Sequence, residues 1–235
     1  MVIWAAGLFF PPSHRERMRL TTGPRVQGDF PELQVVPVPL EGMTVLERRP
    51  DLDALKAALE SRLRGQHAAD ALKDEPRVRA YRDFFWRLGI DPTKVRPASE
   101  ALVRKVVRGR PLPTINTAVD ALNVASIETN VAFAAFDTGL LRGDLTLRYA
   151  SPGERFLGIG MDAPIALEGK ELVIDDTSAL VAVYPYRDAD ATKLTTRTTG
   201  CMLLGCGVPG VGGWDLRRAT DRCAELMLEY TRPRP

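Results

Sequence analysis

The order of patterns along this 235-residue chain predicts a mixed α+β domain, a mixed sheet packed with helices. Three observations carry that prediction. Between residues 50 and 130, apolar side chains recur at three- and four-residue spacing, as successive amphipathic helices require. After residue 137 the period changes to alternation, the pattern of half-buried strands. The chain then closes on one more helical stretch near 215–230. Helices first, strands next and a closing helix favour α+β over a doubly wound parallel sheet.

Each element has its own signals. Leu33-Gln34-Val35-Val36-Pro37-Val38 alternates but contains proline, which suits an edge strand. Leu52, Leu55, Leu59 and Leu63 mark one face of a helix from Pro50 to about Gly65. A second helix starts near Pro76, where proline costs no hydrogen bond, turns Val78, Tyr81, Phe85 and Leu88 inward and ends at Gly89. A third runs from Ser99, a good N-cap residue, to about Gly109, and a fourth from Asn116 to Thr129. Strands follow at 144–149, 171–175, 179–184 and 193–204, separated by Gly, Asp and Pro turns. Residues 1–50 read as an N-terminal extension packed on a domain formed by 51–235.

Composition excludes several classes. With 32 basic and 30 acidic residues the net charge is +2, so any nucleic-acid contact must come from a local patch. The apolar run at 2–10 lacks a basic flank and a cleavage site and is too short to span a bilayer, so it reads as a strand or arm. No other stretch is a membrane candidate, and the chain is expected to be soluble and cytoplasmic. The odd count of three cysteines, Cys201, Cys206 and Cys223, fits a reducing compartment. His14 and His67, the only histidines, are both far from the cysteines, so nothing points to a metal. No organic cofactor is indicated either.

Local motifs are few. Gly205-Cys206-Gly207-Val208-Pro209-Gly210 formally matches a dinucleotide-binding loop. Only 25 residues follow Gly210, too few for the βαβ unit that such binding needs, so a glycine-rich turn is the simpler reading. Asp188 and Asp190 sit near a strand end, where such pairs are more often turn residues or caps than acid/base partners. Asn116, Asp120 and Asn123 share one helix face, either lining a pocket or tying the helix to the sheet. Residues 94–110 hold six Lys and Arg against Glu100. That segment is either a phosphate-tracking face, with Arg104, Lys105 and Arg108 as its contacts, or a solvated helix surface.

A longer, ordered series carries a resemblance. It runs through Tyr81-Arg82-Asp83-Phe84-Phe85, Arg96-Pro97-Ala98-Ser99-Glu100-Ala101-Leu102 and Asn116-Thr117-Ala118-Val119-Asp120-Ala121-Leu122-Asn123. It continues through Ala135-Phe136-Asp137, Gly143 to Ala150 and Leu172 to Asp176. This series resembles stand-alone relatives of the editing domain of the phenylalanyl-tRNA synthetase beta subunit, over about residues 60–230. The resemblance implies a cleft between sheet and helices that takes the 3′ end of an aminoacyl-tRNA and hydrolyses the wrong ester in trans. It also leaves open a non-enzymatic binder of an amino acid or other small ligand. The family's histidine before Ala-Phe-Asp corresponds to Ala134, its arginine before the Val-Asp helix to Pro113, and its tyrosine-reading glutamate to Gly205. Its Gly-Gly turn has become Tyr184-Pro185-Tyr186-Arg187. Expected ligand contacts are therefore Asn116, Asp120, Asn123, Tyr184, Thr198 and Gly205.

Overall fold

The computed structural model describes residues 18–66 and 71–232. The apolar run at 2–10 and both histidines lie outside them. Strand β1 (Leu20–Thr22), the short helix α1 (Pro24–Asp29) and strand β2 (Val35–Glu41) come first. Helices α2 (Pro50–Gln66), α3 (Pro76–Arg87), α4 (Ala98–Val107) and α5 (Thr117–Thr129) follow. Then come strands β3 (Ala132–Asp137), β4 (Leu145–Tyr149), β5 (Arg155–Phe156) and β6 (Ile165–Ala166). Strands β7 (Leu172–Asp175), β8 (Leu180–Val183), β9 (Arg187–Asp188) and β10 (Gly200–Cys206) and helix α6 (Gly213–Thr231) complete the fold.

The strands form a five-stranded sheet, β1-β4-β7-β8-β9, a three-stranded sheet, β2-β10-β3, and the small pair β5-β6. Only the β1–β4 pairing is parallel. The fold is thus the expected mixed α+β, with sheets packed against helices. Residues expected as an extension supply an integral strand to each large sheet, β1 beside β4 and β2 beside β10. β2 is an edge strand, so Pro37 and Pro39 interrupt no second ladder.

The central strand β10 explains the layering, because alternate side chains leave opposite faces. Cys201 and Leu203 pack against α2, α4, α5 and α6, with Leu52, Val106, Val124 and Met227 around them. Met202, Leu204 and Cys206 face the second sheet and α3, meeting Leu145, Ile174, Tyr81 and Phe85. Each fully buried Leu or Phe in these layers contributes about 1.5–3 kcal/mol of burial free energy. Gly205 lies on the helix side of β10, where a Cβ would stand 2.0 Å from Thr220 Oγ1 of α6. The close packing of α6 on the strand therefore requires glycine there.

Several expectations shift in detail. α4 begins at Ala98, so Pro97 takes the N-cap position and Ser99 is buried in the first turn. The strand expected at 193–204 is a turn at 190–192, a loop, and then β10 from Gly200. The glycine-rich turn after β10 leads into α6 and no strand follows among the described residues, so no dinucleotide-binding unit exists there. A Cβ at Gly207 would lie 2.6 Å from the carbonyls of Gln34 and Val211; the glycines admit the protein's own backbone.

Candidate functional site

Strands β3 and β9 are the facing edges of the two large sheets. Two open sheet edges that diverge leave a cavity between them, here about 350 Å³. Apolar side chains line much of it, Phe133 and Ala134 from β3, Ala182 from β8, Ile174 from β7 and Cys206 from β10, while polar atoms make up about as much of the exposed wall. Asp188, on β9, supplies the single carboxylate among the lining residues. Its Oδ2 accepts a hydrogen bond from the Ala135 N–H at 3.2 Å, satisfying an edge donor of β3. The apolar surroundings remove water from the carboxyl and push it up to about 7, which the Ala135 hydrogen bond only partly opposes. Asp188 is nevertheless half-buried and reachable from the cavity.

Three other polar or ionisable groups of this cavity, on Tyr184, Cys206 and Arg187, have partners or surroundings of their own. Tyr184 donates its hydroxyl to the Gly207 carbonyl, so it offers the pocket a ring face and not a donor. Burial holds its phenol well above the usual range. Burial likewise pushes the Cys206 thiol far up, and the nearby Asp188 adds to the effect, which leaves Cys206 an inert apolar wall at neutral pH. Arg187 donates to the Ile159 carbonyl at 2.8 Å and lies over the Tyr186 ring.

Next to this cavity is a smaller one of about 260 Å³ that shares Ala98, Pro185, Tyr186 and Arg187 with it. Lys94 and Arg96 line its outer side and also line a surface groove with Arg104, Lys105, Arg108 and Arg110. Shared walls thus lead from a cationic groove to the carboxylate pocket. Fully enclosed Glu100 lies under the groove. Arg82 reaches it at 3.0 Å, Arg104 at 3.5 Å and Arg96 at 3.8 Å. Arg104 is therefore partly committed to holding α4, whereas Lys105 is half-buried and Arg108 exposed.

The remaining sequence candidates gather elsewhere. Asn116 caps α5, accepting from Val119 N–H at 3.0 Å, and donates to the Leu194 carbonyl at 3.1 Å. Asp120 pairs with buried Lys56 at 2.6 Å and accepts from Ile115 N–H at 2.9 Å. Thr198 donates to Asp137 Oδ2 at 2.7 Å and accepts from Thr195 N–H at 2.9 Å. Asn116 and Thr198 thus pin the loop between β9 and β10 to α5 and β3. None of these lines the carboxylate pocket, and neither do half-buried Asn123 or Gly205. Of the expected ligand contacts, only Tyr184 lies in it. Asp188 read in the sequence as a turn carboxylate and was not among the expected ligand contacts; the signal for its place in the pocket was the run Tyr184-Pro185-Tyr186-Arg187-Asp188 replacing a small turn.

A family model described as the B3/4 domain matches residues 80–232. The chain belongs to the B3/4 domain family. Two curated relatives agree. The phenylalanine–tRNA ligase beta subunit of Nocardia farcinica (strain IFM 10152) is 32% identical over 115 residues, 49% of this chain. That of Cutibacterium acnes (strain DSM 16379 / KPA171202) is 28% identical over 109 residues, 46% of this chain. The matched region spans 13% of either relative's length. The fold also matches the crystal structure of an N-terminal fragment of the phenylalanyl-tRNA synthetase beta subunit from Pyrococcus horikoshii. That match has a TM-score of 0.50 and 11% identity, and covers 91% of this chain and 49% of the fragment. This B3/4 domain therefore shares its fold with part of a synthetase subunit.

Proposed function

We propose that this B3/4 domain binds the 3′ end of an aminoacyl-tRNA and hydrolyses the ester of a mischarged one in trans. The observation that carries this reading is the run of shared walls from the cationic groove to the carboxylate pocket. A polynucleotide end brings phosphates, which Lys94, Lys105, Arg108 and Arg110 attract, and an aminoacyl group, which needs an enclosed, mostly apolar seat. A cavity of about 350 Å³ has room for one amino-acid side chain with its ester. Kinship with phenylalanine–tRNA ligase beta subunits makes tRNA the polynucleotide of choice.

A second reading is a binder of a free amino acid or similar small ligand without chemistry. Ala134 in the pocket wall favours it, because the family's histidine has no counterpart there. Equilibrium binding separates the two. A tRNA 3′-terminal hairpin carrying its amino acid through a stable amide should bind more tightly than the uncharged hairpin, and both should weaken steeply with salt. Equal affinity for the two hairpins would remove the pocket from recognition. No RNA binding at low salt, with thermal stabilisation by one free amino acid, would favour the second reading.

A further inference from the structure

We propose that Asp188 is the general base of this hydrolysis, an inference that rests on the deacylase reading above. Three geometric facts support it. Among the described residues Asp188 supplies the only carboxylate on the cavity wall. Its Oδ2 is fixed by the Ala135 N–H, and among the described residues no hydrogen bond occupies the other oxygen. No cation pairs with it among the described residues; the adjacent Arg187 is turned to the Ile159 carbonyl and the Tyr186 ring. A carboxylate held at one oxygen, open at the other and free of a neutralising partner has the arrangement that proton abstraction from water requires.

The groups facing Asp188 bear on its titration from every side. β10 presents Cys206, the β8–β9 turn presents Tyr184 and Tyr186, β9 itself presents Arg187, and β3, α4 and the 157–159 segment present Phe133, Ala134, Ala98 and Ile159. Tyr184 and Cys206 are both held protonated through the neutral range, so Asp188 is the wall group that changes charge near neutrality. A thiol nucleophile is excluded on the same ground, and the reaction runs through water.

The step balances without any co-reactant. Water gives a proton to the free Asp188 oxygen as its own oxygen bonds to the ester carbonyl carbon. The tetrahedral oxyanion collapses, the carbon–oxygen bond to the ribose breaks, and Asp188 returns its proton to the departing ribose oxygen. The products are a free 3′ hydroxyl and an amino acid, whose new carboxyl group loses its proton to solvent.

The bland alternative is that Asp188 only stitches β9 to β3. Single-turnover deacylation from pH 5.5 to 8.5, corrected for uncatalysed hydrolysis, distinguishes the two. The wild-type rate should rise about tenfold per pH unit below about 7 and level off above it. Asp188→Asn should lose on the order of 10²–10⁴-fold in rate, lose the break in the profile, and keep its tRNA affinity. Asp188→Ser, smaller and without a carboxylate, should lose the rate and the break in the same way, while Asp188→Asn keeps an amide oxygen to accept from the Ala135 N–H. Active wild type with an equally active Asp188→Asn or Asp188→Ser would overturn the base assignment and leave the deacylase reading standing. A wild-type profile without a break between pH 6 and 8 would overturn it even where neither variant folds. A wild type that deacylates no tRNA would overturn both.

Discussion

Lys56 and Asp120 illustrate how a residue chosen for a ligand can be committed to the fold. The Lys56 ammonium is buried and donates to Asp120, to the Pro113 carbonyl at 2.7 Å and to Thr114 Oγ1 at 2.9 Å. Asp120 has one oxygen on that ammonium and the other on the Ile115 N–H. All three ammonium donors are used and each Asp120 oxygen has a partner inside the core, so the pair is committed to the fold. Asp120→Ala would strand the ammonium and cost about 3–5 kcal/mol of stability, read as a shift in urea midpoint. Its affinity for RNA, measured where the variant is folded, should not change. Weaker RNA binding by folded Asp120→Ala would return Asp120 to the ligand site. Asp188 is the opposite case, with one bond made and one oxygen open to a cavity.

α4 carries two functions on one helix. Val103 and Val106 point into the helical core, Glu100 anchors three guanidiniums, and Lys105 and Arg108 line the groove. Lys105→Ala with Arg108→Ala should weaken RNA binding and lower the salt slope by about one per residue, leaving stability within about 0.5 kcal/mol. Arg104→Ala should instead lower stability by more than 1 kcal/mol, since it removes a cation from enclosed Glu100. An unchanged salt slope in the double variant would place the phosphates elsewhere. The element scale also shows what the sequence reveals. α2, α3, α4 and α5 were legible from apolar periodicity and their Pro, Asn and Gly boundaries, to within one or two residues. β3, Ala-Phe-Ala-Ala-Phe-Asp, was not, because burial on both faces erases alternation. β9 has two residues, too few for any period, so Asp188 looked like a turn carboxylate. The pocket arises where two sheet edges meet across 53 residues of chain, a long-range closeness that no local pattern encodes.

The molecule as a whole carries a B3/4 fold shared with a synthetase fragment. Ala134 and Gly205 remove two polar groups that the family resemblance led one to expect, and the fold gives each small residue a place. Ala134 keeps the cavity wall apolar, and Gly205 lets α6 pack on β10. Asp188 brings a carboxylate into the same space from the second sheet. Under the proposed function the cationic groove and this pocket form a single site that holds an RNA end and cleaves its ester. The most direct test is to incubate the purified protein with a panel of correctly charged and mischarged tRNAs and follow release of each amino acid. At least one mischarged tRNA should be deacylated well above the uncatalysed rate, with free uncharged tRNA competing. Uncatalysed rates across the whole panel, with the protein folded and in excess, would contradict it.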